Sequence, residues 1–374
     1  MRVVIVFWLV LVKVVLEKLV KKFGSQLAVD GIDLEINDKE FFVLLGPSGC
    51  GKTTTLNMVA GLEPITSGNI YFDGTLVNDI PPEKRDVAMV FQSYALYPQM
   101  NAFDNIAFPL KIRKVSTSEI KSRVEKTADM LHIRPLLKKK PHEMSGGERQ
   151  RVALARATVR EPRAFLMDEP LSNIDAKLRV YMRAELIRLQ KDLQITTIYV
   201  THDQVEAMSM SDRIAIMNQG KVAQVSDPMT IFNHPADSFV GGFVGTPPMN
   251  FFDAEFAKKG QQAFLQTSHF ALKLDPDVAK LVEEKAAGSE LTIGARPHDI
   301  AVTTKRTSDE DFEAEVYAVE PLGTETVVDL RIDDKILKVV ASHTFESKIT
   351  ERIWASVNKK RMHLFNRSDG KAVL

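Results

Sequence analysis

Cysteine is almost missing from this sequence: among 374 residues, Cys50 stands alone. A single thiol excludes an intrachain disulfide and fits a reducing compartment. An excess of either charge is missing too, because Lys plus Arg and Asp plus Glu each number 49. That balance leaves no net positive field to draw the chain onto nucleic acid or anionic lipid, so no nucleic-acid partner is expected. Aromatic residues make up only 7% and show no clear stacking platform for bases. Long hydrophobic runs are lacking as well. The apolar run 3–12 is about half of the roughly 20 residues that span a bilayer. It has the length of a signal-peptide core, but no small-residue cleavage site follows; residues 1–12 are therefore read as an apolar N-terminal extension. No other stretch could span a membrane, so a transport role would require separate membrane subunits. Internal repeats and low-complexity segments are absent.

What is present describes a globular chain long enough for two domains, with 44% apolar and 26% charged residues. Short β-rich runs at 14–17 and 41–45 come first, the second wholly apolar as in a strand covered on both faces. A glycine-rich turn over 46–51 and a helical stretch over 53–60 follow, which is the strand–turn–helix order of α/β proteins. Residues from about 94 to 162 read as mainly helical, with amphipathic spacing over 118–131. Apolar strands are expected at 164–167, 197–200 and 214–217, with a charged helix over 176–192. The pattern changes near Asp237. Gly241, Gly242, Gly245 and the Pro247–Pro248 pair mark a junction, and strands of alternating polarity follow, as in Val328, Leu330 and Ile332. A small β-barrel is expected for this tail.

Gly46, Pro47, Ser48, Gly49, Cys50, Gly51, Lys52 and Thr53 fit GxxxxGK[ST] in full. The glycines let backbone N–H groups turn inward around phosphate, Lys52 reaches the β- and γ-phosphates, and the Thr53 hydroxyl ligates Mg²⁺. The helix that follows points its positive end at the same anion. The run from Ala164 to Met167 ends in Asp168 and Glu169. A strand ending there delivers Asp168 beside the metal, with Glu169 one residue on to orient or deprotonate the attacking water. Together these segments describe a nucleotide hydrolase with a phosphate-binding loop.

Met144-Ser-Gly-Gly-Glu148 and the Arg149–Arg156 segment after it resemble the signature of ABC ATPases, usually Leu-Ser-Gly-Gly-Gln. Ser145, Gly146 and Gly147 open a helix whose free N–H groups can bind a phosphate. In that family the phosphate belongs to the partner protomer's ATP, so the resemblance implies a head-to-tail dimer. Two positions depart from the motif, Met144 and Glu148. The second adds charge, yet Ser145-x-x-Glu148 fits a capping box that would turn the carboxylate back onto its own backbone.

Further roles are implied by the resemblance. Phe23 would stack on adenine, and Thr54 would also line the nucleotide site. Gln92 would touch Mg²⁺ or water and sense the membrane subunit. Asp175 would cross the dimer interface, and His202 would contact the γ-phosphate and hold Glu169. Cys50 is read as a small residue filling the loop.

The tail, with Phe239–Gly245, Gly294-Ala-Arg-Pro297 and Glu320–Glu325, resembles the regulatory domain of the ATPases of maltose and multiple-sugar importers. Gly-Ala-Arg-Pro-His departs there from the commoner Gly-Ile-Arg-Pro-Glu. The resemblance thus implies an α/β P-loop ATPase domain over 13–237, its helical subdomain at about 94–162, and an OB-like regulatory domain over 238–374. It implies an ATP- and Mg²⁺-dependent importer ATPase, for sugars first and for polyamine, iron or glycerol phosphate as alternatives. The implied assembly is a homodimer, or a heterodimer with a similar ATPase, on two permeases at the cytoplasmic membrane face, with a solute-binding protein outside. A soluble ABC protein acting on nucleic acid or the ribosome is the competing class.

Overall fold

The computed structural model describes residues 12–374, and these divide into two compact units after Pro228. The apolar N-terminal extension lies outside the described residues except for Val12, which is buried.

The first unit is built on two sheets. Its strands are β1 (Val14–Phe23), β2 (Gln26–Ile36), β3 (Phe41–Leu45), β4 (Ser67–Phe72), β5 (Thr75–Leu76), β6 (Val87–Val90), β7 (Ala164–Asp168), β8 (Thr196–Thr201), β9 (Arg213–Asn218) and β10 (Lys221–Ser226). One sheet runs β2-β1-β4-β5 and is antiparallel. The other runs β10-β9-β3-β8-β7-β6, parallel except for the β10–β9 pair. β3 sits inside this parallel array and is buried at all five positions, which explains why it reads as an unbroken apolar run.

Helices α1 (Lys52–Ala60), α2 (Ala102–Ile112), α3 (Thr117–Met130), α4 (Gly146–Thr158), α5 (Ala176–Leu193) and α6 (Gln204–Met210) complete the unit. α2, α3 and α4 pack on one another as the expected helical segment. Their starts are written in short polar caps. Asn101, Ser116 and Ser145 each accept an N–H from the third residue on.

The second unit starts at Met229, inside the short helix α7 (Pro228–Asn233), and a second short helix, α8 (Ser238–Phe243), follows. It continues with β11 (Asn250–Lys259), β12 (Gln262–Gln266), β13 (Ala271–Lys273), α9 (Pro276–Lys285), β14 (Glu290–Ala295), β15 (Ile300–Thr303), β16 (Phe312–Pro321), β17 (Glu325–Ile332), β18 (Lys335–Ser342), β19 (Arg352–Val357) and β20 (His363–Asn366). They form two five-stranded antiparallel sheets, β13-β12-β11-β14-β20 and β15-β19-β16-β17-β18. Alternation along β17 puts Val328 and Leu330 into a shared core, where Phe252, Phe270 and Phe312 meet ring to ring. This is the expected small OB-like barrel.

The sequence reading starts the second domain at 238, whereas the compact unit starts at Met229. Arg296 accounts for the difference. Its guanidinium is buried, lies 3.6 Å from the centroid of the Phe232 ring, and donates to the Phe232 and Val244 carbonyls. These contacts tie α7 and the end of α8 to the strand that precedes Arg296.

Candidate active site

Strand order and register bring the site together. β3, β8, β7 and β6 are parallel neighbours, with Leu45 opposite Thr201, Asp168 opposite Val200 and Val90 opposite Met167. The phosphate loop, His202, Asp168–Glu169 and Gln92 therefore leave the sheet at one edge. Carboxyl ends of parallel strands are where α/β sheets place their ligands.

The loop between β3 and α1 is shaped by close approach. A Cβ on Gly46 would strike the Met217 carbonyl and the Cys50 sulfur, and one on Gly51 would run into the Ala28 carbonyl. Gly49 and Gly51 also adopt φ of +79° and +104°, a region that disfavours side chains. Lys52 is buried, and its ammonium donates to the Gly46 and Pro47 carbonyls at 2.8 and 2.9 Å. Cys50 fills the loop interior, and burial pushes its thiol pKa up despite the nearby Lys52 charge. Pro47 and Thr54 are half-buried, whereas Ser48, Gly49 and Thr53 are exposed. No acidic residue occupies the first turn of α1, so its N-terminal N–H groups keep their positive potential.

Thr53 donates its hydroxyl to Asp168 at 2.8 Å. Burial is the main influence raising the Asp168 pKa; the Thr53 bond and Lys52 oppose it, and Glu169 adds to it. A half-buried carboxylate beside a hydroxyl is a hard-oxygen set of the kind Mg²⁺ uses with phosphate oxygens. The residues present fit that ion.

Glu169 follows in left-handed backbone, φ +44°, held by its N–H to the Val200 carbonyl at 3.0 Å and by Ser172, whose hydroxyl donates to the Glu169 carbonyl at 2.8 Å. Its side chain meets His202 Nδ1 at 3.1 Å and receives the Gln92 amide at 3.4 Å. Gln92 thus lies against Glu169 rather than Asp168. Its segment is pinned by Asn173, which donates to the Gln92 carbonyl, and by Arg156, which donates to those of Tyr94 and Ala95.

A family model described as ABC transporter matches residues 29–172, and one for the MalK OB fold domain matches residues 245–300. The trehalose/maltose import ATP-binding protein of Thermococcus litoralis is 51% identical over 366 residues, 94% of this chain and 97% of that protein. The chain belongs to the ABC transporter ATP-binding family. The oligosaccharides import ATP-binding protein of Bacillus subtilis is 49% identical, covering 82% of this chain and 84% of that protein. Among solved structures, a post-hydrolysis dimer of an ATP-binding cassette bound to ADP and Pi superposes with a TM-score of 0.52. It shares 31% identity and covers 57% of this chain and 98% of that one.

As an ABC ATPase the chain carries its signature turn at the start of α4. Ser145 and Glu148 form the expected capping box: the Ser145 N–H donates to Glu148 at 2.7 Å and the Glu148 N–H to the Ser145 hydroxyl at 3.3 Å. The departure from Gln is therefore absorbed locally. The backbone bond from Ser145 is the main influence lowering the Glu148 pKa, with the Ser145 hydroxyl and Lys139 adding to it. Gly147 is buried against Leu178, while Gly146 has more room, with the Asn173 carbonyl nearest. Asp175 caps α5 by accepting the Leu178 N–H at 3.0 Å, a role sequence reading did not assign. Phe23 is exposed at the tip of the β1–β2 hairpin, with the Lys21 ammonium over its ring at 4.8 Å. The structure places this ring among exposed groups rather than in the core.

Residues missed from sequence stand behind His202: Tyr199, Thr201 and Glu206, all buried, with both hydroxyls donating to the Glu206 carboxylate. An acidic residue three positions into a cap-started helix is the only signal that could have pointed to them.

Proposed function

We propose that this chain powers an importer for sugars, binding ATP with Mg²⁺ and working as a dimer on membrane-embedded permease subunits. One observation carries the hydrolytic part: four parallel strands deliver Lys52, Thr53, Asp168, Glu169, Gln92 and His202 to one sheet edge. Sugar as the solute is supported by the relatives named above and by the MalK-type OB domain.

In this reading Lys52 leaves its loop carbonyls for the β- and γ-phosphates, and the loop N–H groups hold the remaining oxygens. Thr53 and Asp168 would hold Mg²⁺, which would neutralise phosphate charge when bound. Glu169 takes a proton from the attacking water while His202 holds its carboxylate in line. Ser145 and the N–H groups of Gly146 and Gly147 face the γ-phosphate of a second copy's ATP, a reading supported by the exposure of Ser145 at the helix N-terminus. A groove beside the Gln92 segment supports a permease contact. Leu62, Phe91, Tyr97 and Ile112 line it, all exposed and largely apolar, together with the half-buried Met89 and Phe108.

Affinity purification of the chain from its native membranes, with mass spectrometry of co-purifying proteins, tests the reading. Two multi-spanning permeases and a solute-binding protein are expected, and the ligand of that binding protein names the sugar. Recovery of ribosomes or DNA-repair factors without permeases would overturn the import role while leaving the ATPase centre in place.

A further inference from the structure

The loop that carries His202 is fixed from behind by polar groups the proposed hydrolysis does not use. Thr201 ends β8, is buried, and donates its hydroxyl to Glu206 Oε2 at 2.8 Å. The same hydroxyl accepts the Asp203 N–H at 3.0 Å. Tyr199 donates its phenol to the same Glu206 oxygen, also at 2.8 Å. Glu206 is 3% exposed and lies in the first turn of α6. Asp203 caps that helix through Oδ1, while its Oδ2 faces Arg179 at 3.3 Å. The residues on both sides of His202 are thereby anchored, whereas His202 is itself 54% exposed and contacts Glu169 at 3.1 Å. An exposed imidazole, with little packing of its own, keeps such a contact only if its backbone is placed for it.

We propose that Glu206 is a positioning residue for ATP hydrolysis. By holding the Thr201 hydroxyl it sets the backbone on either side of His202, and through it the His202–Glu169 contact. The inference rests on the reading of Glu169 and His202 as the hydrolytic pair. What the position requires is an acceptor oxygen rather than a charge, because both hydroxyls end on one atom and a carbonyl oxygen also offers two lone pairs. Glutamine should therefore substitute for glutamate, and leucine should not.

The test measures ATP turnover and nucleotide affinity of the full chain as wild type, E206Q, E206L, T201V, H202A and the double variant H202A/E206L. E206L and T201V are expected to lose kcat on the order of 10- to 100-fold, the scale of a small misplacement of a reacting group. Their nucleotide affinity stays at the wild-type level. T201V keeps the Tyr199–Glu206 bond and so reports on positioning even if E206L is poorly folded. E206Q keeps turnover within about twofold of wild type, the margin within which independent effects add. The double variant turns over no more slowly than H202A alone, since the loss acts through His202. Multiplying losses in the double variant, nucleotide affinity falling together with kcat, or E206Q failing like E206L would each overturn the proposal. H202A turning over at the wild-type rate would instead remove His202 from the hydrolytic pair, a separate and recognisable failure.

Discussion

Glu169 has two neighbours within reach, His202 and Gln92, and a backbone conformation that fixes where its carboxylate points. Glu169→Gln preserves shape and removes the proton acceptor. It is expected to bind ATP normally while phosphate release falls on the order of 100- to 10,000-fold, the usual worth of a positioned base. Undiminished release would take Glu169 out of its role. Gly51→Ala tests the loop at the same scale. The new Cβ would combine a φ of +104° with the Ala28 carbonyl in its path. A stability loss of at least about 1–3 kcal/mol is expected from the backbone strain, with nucleotide binding abolished. Calorimetric melting with and without ATP reads both. Lys52, Thr53, Asp168 and His202 were legible as residues because they follow apolar strands in a fixed chain order. Tyr199 and Glu206 were not. A tyrosine inside a buried strand and a glutamate in a short helix look like ordinary packing and ordinary surface until their bond is seen.

Helix α4 shows how an element absorbs a substitution. Its first turn uses Ser145 and Glu148 reciprocally, so the charge that departs from the family motif is also the cap. The folded-state pKa of Glu148 lies below its ordinary value of 4.5. Its contribution to stability is therefore fully present above that value and is lost as pH falls through the lower folded one. Glu148→Gln keeps a cap without the titration. The stability gap between wild type and this variant, followed by urea unfolding down the acid range, should hold steady at neutral pH and shrink on acidification. A gap that widened in acid would show that the cap is not carried by the carboxylate.

Among the elements, the parallel strands β3, β7, β8 and β9 are visible as apolar runs and α3 as an amphipathic stretch, whereas β6, a four-residue strand, is not read from the sequence. β2 and β4 were not anticipated. They belong to an antiparallel sheet whose strands are half-exposed and interrupted, with Gly31 at φ +63° and register shifts along β1 between Leu16 and Lys22. α9 is not read either, although Asp275–Pro276 marks its start and Val278, Ala279 and Val282 recur at helical spacing; its single apolar face is short and lies amid strands of alternating polarity.

At the scale of the molecule, each unit has its own core. Phe312 sits at 2% exposure between Phe252 and Phe270 in the second unit, far in sequence from the nucleotide motifs. Phe312→Ala is expected to cost about 3–5 kcal/mol of that unit's stability. Differential calorimetry should show one transition lowered, and ATP protection of the other retained. The barrel class could be read from alternating polarity, but the position of the division could not. It depends on a cation–ring contact between residues 64 apart, which no local pattern reports.

That contact also decides where the chain tolerates cleavage. A fragment beginning at Met229 brings its own ring and carbonyl for the Arg296 guanidinium. One beginning at Ser238 keeps the Val244 carbonyl but loses the Phe232 ring and carbonyl, leaving a buried cation, its pKa already depressed to about 10 chiefly by burial, with half its partners. The shorter piece should melt earlier and be trimmed faster by protease. Helix α7 is thus a latch: it supplies the ring and one of the two carbonyls that hold Arg296, and a barrel cut free of it would carry that cation half held.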